Sequence, residues 1–112
     1  MTPKQLAKQV ALAAEDIQAK DLLVLDLTDL TSFTDYFIIC SGKSDTQVRA
    51  IADSITKKLK EKGRLPLGSE GYDQGEWILI DYGDVVAHIF YQDVREFYNL
   101  EKLWADAARM IV

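Results

Sequence analysis

At 112 residues, 48% hydrophobic and 28% charged, the chain is one domain's worth of polypeptide. A single cysteine, Cys40, excludes an internal disulfide framework, and with one histidine, His88, it also excludes a zinc finger or other His/Cys-rich metal site. The net charge of −5 argues against a general nucleic-acid binder, and no apolar run nears the roughly 20 residues that a membrane helix needs. The first residues carry no apolar stretch of the signal-peptide kind, so a reduced, cytoplasmic location is expected.

The first element is a helix. Thr2 is placed to cap it, Pro3 suits its first position, and Gln5 completes a Thr-x-x-Gln capping box. Leu6, Val10, Ala13 or Ala14, and Ile17 follow at helical spacing, which carries the helix to about Lys20. Leu22-Leu23-Val24-Leu25 reads as a buried strand, and residues 28–34 as a polar turn region. Tyr36-Phe37-Ile38-Ile39-Cys40 is continuously apolar, the pattern of a strand covered on both faces. The chain then turns at Ser41-Gly42-Lys43.

Ser44 with Gln47 forms a second capping box, ahead of a helix whose apolar stripe is Val48, Ile51, Ala52, Ile55 and Leu59. Gly63 is placed to stop it. Lys57, Lys58, Lys60 and Lys62 fall in its last turns, where cations complement the helix dipole; phosphate binding is the lesser reading of that cluster. Residues 66–75 read as a loop or a short irregular strand. Trp77 to Tyr82 and Val85 to Phe90 are two strong strands around a tight Gly83-Asp84 turn. Asp93 with Glu96 caps a third helix bearing Phe97, Leu100, Leu103 and Trp104 on one face, and residues 105–112 continue it or form a short final helix. The order predicts a single α/β domain over residues 1–112, a mixed sheet of about five strands flanked by helices.

Charge is unevenly spread. Residues 1–65 are nearly neutral, whereas residues 66–101 carry eight acids against one base, Arg95, and hold seven of the eleven aromatics. An acidic, aromatic stretch suits a basic protein partner, although a solvated acidic face over ordinary core aromatics reads the same way.

The candidates for chemistry are thin. Gly42-Lys43-Ser44 between strand and helix is the tail of a phosphate-binding loop, but the glycine required five residues earlier is Phe37. Ser41-Gly42 at that junction also suits a nucleotidyl-transfer site, which needs paired carboxylates on a neighbouring strand to hold metal ions. Asp26 and Asp29 are three apart, and Asp81 and Asp84 straddle a turn, so that pair is missing. His88 shares a strand face with Val86 and Phe90, more the setting of a structural or interface histidine than of a general base. Cys40 reads as a buried, inert thiol. There remain Trp77, Asp81, Tyr82, Tyr91, Tyr98 and Trp104. Strand alternation puts Trp77, Leu79 and Asp81 on one face and Ile78, Ile80 and Tyr82 on the other. The second face is the more apolar and hence the expected core. Trp77 and Asp81 are then left on an open, hot-spot-like face, unless Trp77 packs under a helix.

Three segments together carry a resemblance. They are Thr34-Asp35-Tyr36-Phe37-Ile38-Ile39-Cys40-Ser41-Gly42, the hairpin from Trp77 to Phe90, and Arg95-Glu96-Phe97-Tyr98-Asn99-Leu100-Glu101-Lys102-Leu103-Trp104. In this order, and over essentially the whole chain, they resemble the ribosomal silencing factor, or Iojap-like, family. Ala87 departs conservatively from the valine common there. The resemblance implies a nucleotidyltransferase-like topology without the active site, no catalysis, no cofactor and no metal. It implies binding to the large ribosomal subunit through its protein L14, a steric block on subunit joining, and repression of translation when nutrients are scarce. Homodimers of the free protein are implied as well. Trp77, Asp81, Tyr82, Asp84, His88 and Tyr98 are the expected interface group, with Trp77 and Tyr82 as apolar anchors and the two aspartates as partners for lysine or arginine. Leu100, Leu103 and Trp104 are expected to pack the third helix onto the sheet. The competing readings are a small nucleotidyltransferase-like enzyme and an adaptor for another basic protein.

Overall fold

The computed structural model describes residues 1–111. Helix α1 (Pro3–Glu15) starts as its sequence dictates: the Gln5 N–H donates to Thr2 Oγ1 at 3.1 Å and the Thr2 N–H to Gln5 Oε1 at 2.8 Å. Its buried face is Leu6, Ala7, Val10, Ala11, Ala13 and Ala14, and the small alanines let the helix lie close to the sheet. It stops five residues short of Lys20. The Ile17 and Ala19 N–H groups both fold back on the Ala14 carbonyl and Gln18 turns left-handed at φ 57°, which reverses the chain into strand β1 (Lys20–Asp26).

Strand β1 pairs antiparallel with β2 (Tyr36–Gly42). Helix α2 (Asp45–Glu61) follows, buried through Val48, Ile51, Ala52, Ile55 and Leu59. Ser44 caps it, accepting from the Gln47 N–H at 3.1 Å. The box does not close on Ser44, because Gln47 Oε1 instead accepts from the Lys43 N–H at 2.7 Å and so holds the preceding turn. A Cβ on Gly42 would stand 3.0 Å from the backbone and side chain of Val48, so glycine is what lets α2 descend so close to β2. At the other end of α2, Lys58 pairs with Asp16 beyond α1.

Strands β3 (Gly68–Glu70), β4 (Trp77–Asp81) and β5 (Val85–Tyr91) come next, then α3 (Gln92–Tyr98), α4 (Leu100–Leu103) and β6 (Ala108–Arg109). The sheet order is β3-β4-β5-β2-β1-β6, with β5 parallel to β2 and the other pairs antiparallel. Six strands replace the expected five. The extra one, β6, lies in the segment expected to be helical, where the Met110 N–H reaches the Val24 carbonyl at 2.8 Å and uses the free edge of β1.

The C-terminal helix also differs from expectation. Helix α3 begins at Gln92 without a side-chain cap, so Asp93 and Glu96 lie inside it rather than at its start. It breaks at Asn99, left-handed at φ 47° and ψ 53°. The break divides the expected apolar face: Leu100 and Trp104 pack on the sheet, while Phe97 and Leu103 are 82% and 76% exposed.

Helices α1 and α2 cover one sheet face and form the main core with Val24, Ile38, Cys40, Ile78, Ile80, Tyr82, Val85, Ala87 and Ile89. The other face has a smaller cluster, Leu25, Leu27, Ile39 and Phe90, covered only by Val94, Leu100, Trp104 and Ala107 of the C-terminal segment. Among the described residues, no helix is long and apolar enough to cross a membrane.

Candidate functional site

The half-covered face is where the hairpin residues emerge. Register aligns Trp77 with Phe90, Leu79 with His88, and Asp81 with Val86, and β2 adds Phe37 beside Val86 and Ile39 beside His88. All project to the side away from α1 and α2. Beyond Trp104 the C-terminal segment turns away to the β1 edge of the sheet and leaves a groove of about 390 Å³. Phe37, Leu79, Val86 and His88 line it from the sheet, Thr31, Phe33 and Thr34 from the β1–β2 loop, and Trp104 and Asp81 complete the lining.

His88 organises the floor. The Trp77 Nε1–H donates to His88 Nδ1 at 3.1 Å, and Phe37 stands edge-on to the imidazole with ring centroids 4.5 Å apart. The residue is only 5% exposed, and burial pushes its pKa down to about 4. It is therefore neutral at physiological pH. Because Nδ1 accepts from Trp77, the proton sits on Nε2. That Nε2–H has no partner among the described residues, nor has Thr34 Oγ1 in the same groove.

Aromatic contacts continue outward. Trp77 packs on Phe90 at 4.8 Å and on Tyr98 at 5.1 Å, and Tyr98 meets Phe97 edge-on at 5.2 Å. Tyr98 is 55% exposed. Asp81 is half-buried and held by the Gly83 N–H, which donates to its Oδ1 at 2.7 Å. Asp84 is exposed at the hairpin turn, and its carbonyl accepts from Asp35 and Tyr36 at 2.9 and 3.1 Å, fixing the turn against β2.

Of the six residues singled out in the sequence, Trp77, Asp81 and His88 project from one face; Tyr98 joins them by stacking on Trp77, and Asp84 stands at the adjoining turn. Tyr82 does not join them. It is 3% exposed on the core face, where burial lifts its phenol to about 12, so it is packing rather than an anchor. Strand alternation set Trp77 and Tyr82 on opposite faces without deciding which is core; the structure makes it Tyr82. Phe33, 91% exposed, together with Thr34 and Phe37, belongs to the site but was missed in the sequence reading, whereas Trp104, expected to pack on the sheet, does so and lines the groove as well. The one signal for Phe33 was a large aromatic in an otherwise polar turn.

The Ser41–Gly42 junction offers a different arrangement. Ser41 Oγ accepts from Arg95 Nη1 at 2.9 Å, and Arg95 Nε donates to Glu101 at 3.3 Å, so the hydroxyl ties α3 to the sheet. No cluster of three or more His, Cys, Asp or Glu side chains able to hold a metal occurs among the described residues.

Comparison with known proteins shows the family of the chain. The family model described as ribosomal silencing factor during starvation matches residues 1–112. A Bacillus subtilis protein named ribosomal silencing factor RsfS is 47% identical over 107 residues, covering 96% of this chain and 91% of that protein. A mouse protein named mitochondrial assembly of ribosomal large subunit protein 1 is 35% identical over 89 residues, 77% of this chain and 39% of its own length. The crystal structure of a Chromobacterium violaceum protein superposes with a TM-score of 0.92 at 44% identity, covering 94% of this chain and 88% of that one.

Proposed function

The chain belongs to the family of ribosomal silencing factors, and from that premise we propose that it binds the large ribosomal subunit through ribosomal protein L14. Seated there it blocks the small subunit from joining and represses translation under nutrient limitation. It acts in the cytoplasm by occupancy alone, without catalysis or cofactor. The observation that carries the reading is the half-covered sheet face, an apolar groove continued by Trp77, Tyr98 and Phe97 and bordered by Asp81 and Asp84. Aromatic anchors with carboxylates beside them suit a basic partner such as a ribosomal protein. The free protein is proposed to be a homodimer, for which the exposed Phe97 and Leu103 offer apolar surface.

Co-sedimentation with isolated large subunits, small subunits and whole ribosomes tests the proposal. Tyr98→Ala and Asp84→Lys both alter exposed side chains, so both variants should fold. Co-migration with large subunits only is expected, weakened by roughly 2 kcal/mol, about 30-fold, in Tyr98→Ala. Association with small subunits, or with no particle, overturns the reading. Analytical ultracentrifugation of the free chain reads the dimer.

A further inference from the structure

The groove holds two buried polar atoms without partners, His88 Nε2 and Thr34 Oγ1, in side chains 5% and 6% exposed. Such atoms are rare in folded proteins and costly unless something meets them. The nitrogens of an imidazole point to opposite sides of the ring. With Nδ1 turned to Trp77, Nε2 points away from the indole, and His88 lines the groove. The tautomer is fixed, so Nε2 can only donate. Asp81 lines the same groove and disfavours an incoming carboxylate. The acceptor is therefore a neutral oxygen. Thr34 Oγ1 can accept, so a group with both an oxygen and an N–H satisfies the pair.

We propose that His88 is a specificity-determining residue that donates through Nε2–H to the carbonyl of a peptide group, while Thr34 takes the peptide N–H. The occupant is an apolar side chain of a basic protein, entering the groove with its adjacent main-chain amide. Asp81 at the lining supplies the matching negative charge. The donor is buried at the floor of the groove, so the walls must part slightly for the occupant to reach it. The inference rests on the docking reading above and adds what the docked surface must present.

Two substitutions separate the roles of the two nitrogens. Asparagine places an acceptor near Nδ1 and keeps the Trp77 bond, but lacks the Nε2 donor; glutamine places a donor near Nε2 and loses the acceptor for Trp77. Full-length wild type, His88→Asn and His88→Gln are titrated with isolated large ribosomal subunits, and thermal unfolding checks each fold. Retention within about threefold in His88→Gln, with a loss on the order of tenfold in His88→Asn, is expected. The reverse order means that His88 only positions Trp77, and overturns the proposal. Equal effects in both variants overturn it too, because the partner is then not reading the Nε2 donor. Nitrogen-15 NMR of the free protein is independent of the variants: a neutral imidazole protonated at Nε2 is expected at pH 7, and one protonated at Nδ1 overturns the assignment. If wild type itself fails to bind large subunits, the docking reading falls and this inference with it. If wild type binds but the variant order fails, this inference falls alone.

Discussion

His88 links the proposed site to stability. Its folded pKa of about 4 lies below the ordinary 6.5, so the unfolded chain takes up a proton on acidification before the folded one does. Stability is independent of this group above pH 6.5, falls as pH drops from 6.5 toward 4, and levels off below. The gap corresponds to about 3 kcal/mol. Asp26, held below the usual carboxylate range by its bonds from the Thr28 hydroxyl and N–H, adds loss in the same direction at lower pH, and does so in any variant. The difference between wild type and the non-titrating His88→Asn, followed by urea unfolding from pH 7 to pH 4, isolates the histidine. Parallel curves would show that the imidazole is not held neutral by the fold. Cys40 gives a simpler case. It is fully enclosed in the core and burial pushes its thiol up to about 12, so almost no thiolate is available. A thiol reagent should leave it unmodified in the native protein and react once urea unfolds the chain.

At the scale of elements, the break at Asn99 sets the shape of the proposed docking face. Its left-handed turn leaves Tyr98 stacked on Trp77 and swings Trp104 to within 5.7 Å of Phe37. A residue with a β-carbon but no local hydrogen bonding is strained there, so Asn99→Ala should lower stability by about 1 kcal/mol, whereas Asn99→Gly should be nearly neutral. Thermal unfolding of both checks this, and equal losses would argue that the side chain, not the backbone, matters. Gly71 is a stricter case: at φ +86° a β-carbon would stand 2.0 Å from the Trp77 carbonyl, so Gly71→Ala should cost more than the Asn99 change and loosen the start of β4. Elements like these divide into the legible and the illegible. The hairpin from Trp77 to Phe90 was legible because alternation and a glycine turn write both strands and both faces. The capped start of α1 was legible for the same local reason. β6 was not, because two exposed residues, Ala108 and Arg109, carry no pattern and are strand only by pairing with β1. The break at Asn99 was hidden by apolar spacing that runs through it, and the end of α1 by Ile17, which keeps helical spacing while leaving the helix. The loop side of the groove was missed for a related reason: Thr31, Phe33 and Thr34 come from a loop that tertiary structure alone brings to the sheet.

The whole molecule is acidic, and its proposed partner sits on a particle built largely of RNA. A chain of net charge −5 is repelled by that phosphate surface at long range and attracted to a basic protein only when close. Of the eight acids among residues 66–101, Asp81 and Asp84 stand at the turn end of the β4–β5 hairpin, beside the groove, and supply the short-range attraction there. Salt screens both terms, over about 10 Å at 0.1 M. With isolated L14 only the attraction is present, so affinity should fall steadily as salt rises. With the intact large subunit the screened repulsion offsets that loss, so the slope should be distinctly shallower. Titrations of both partners between about 50 and 200 mM salt compare the two slopes directly. Coincident slopes would remove charge from the account of docking. A collapse of subunit affinity by roughly a thousandfold over that range would be the signature of phosphate contacts. Binding would then run through the lysines at the end of α2, on the covered side of the sheet, and the groove would not be the docking face.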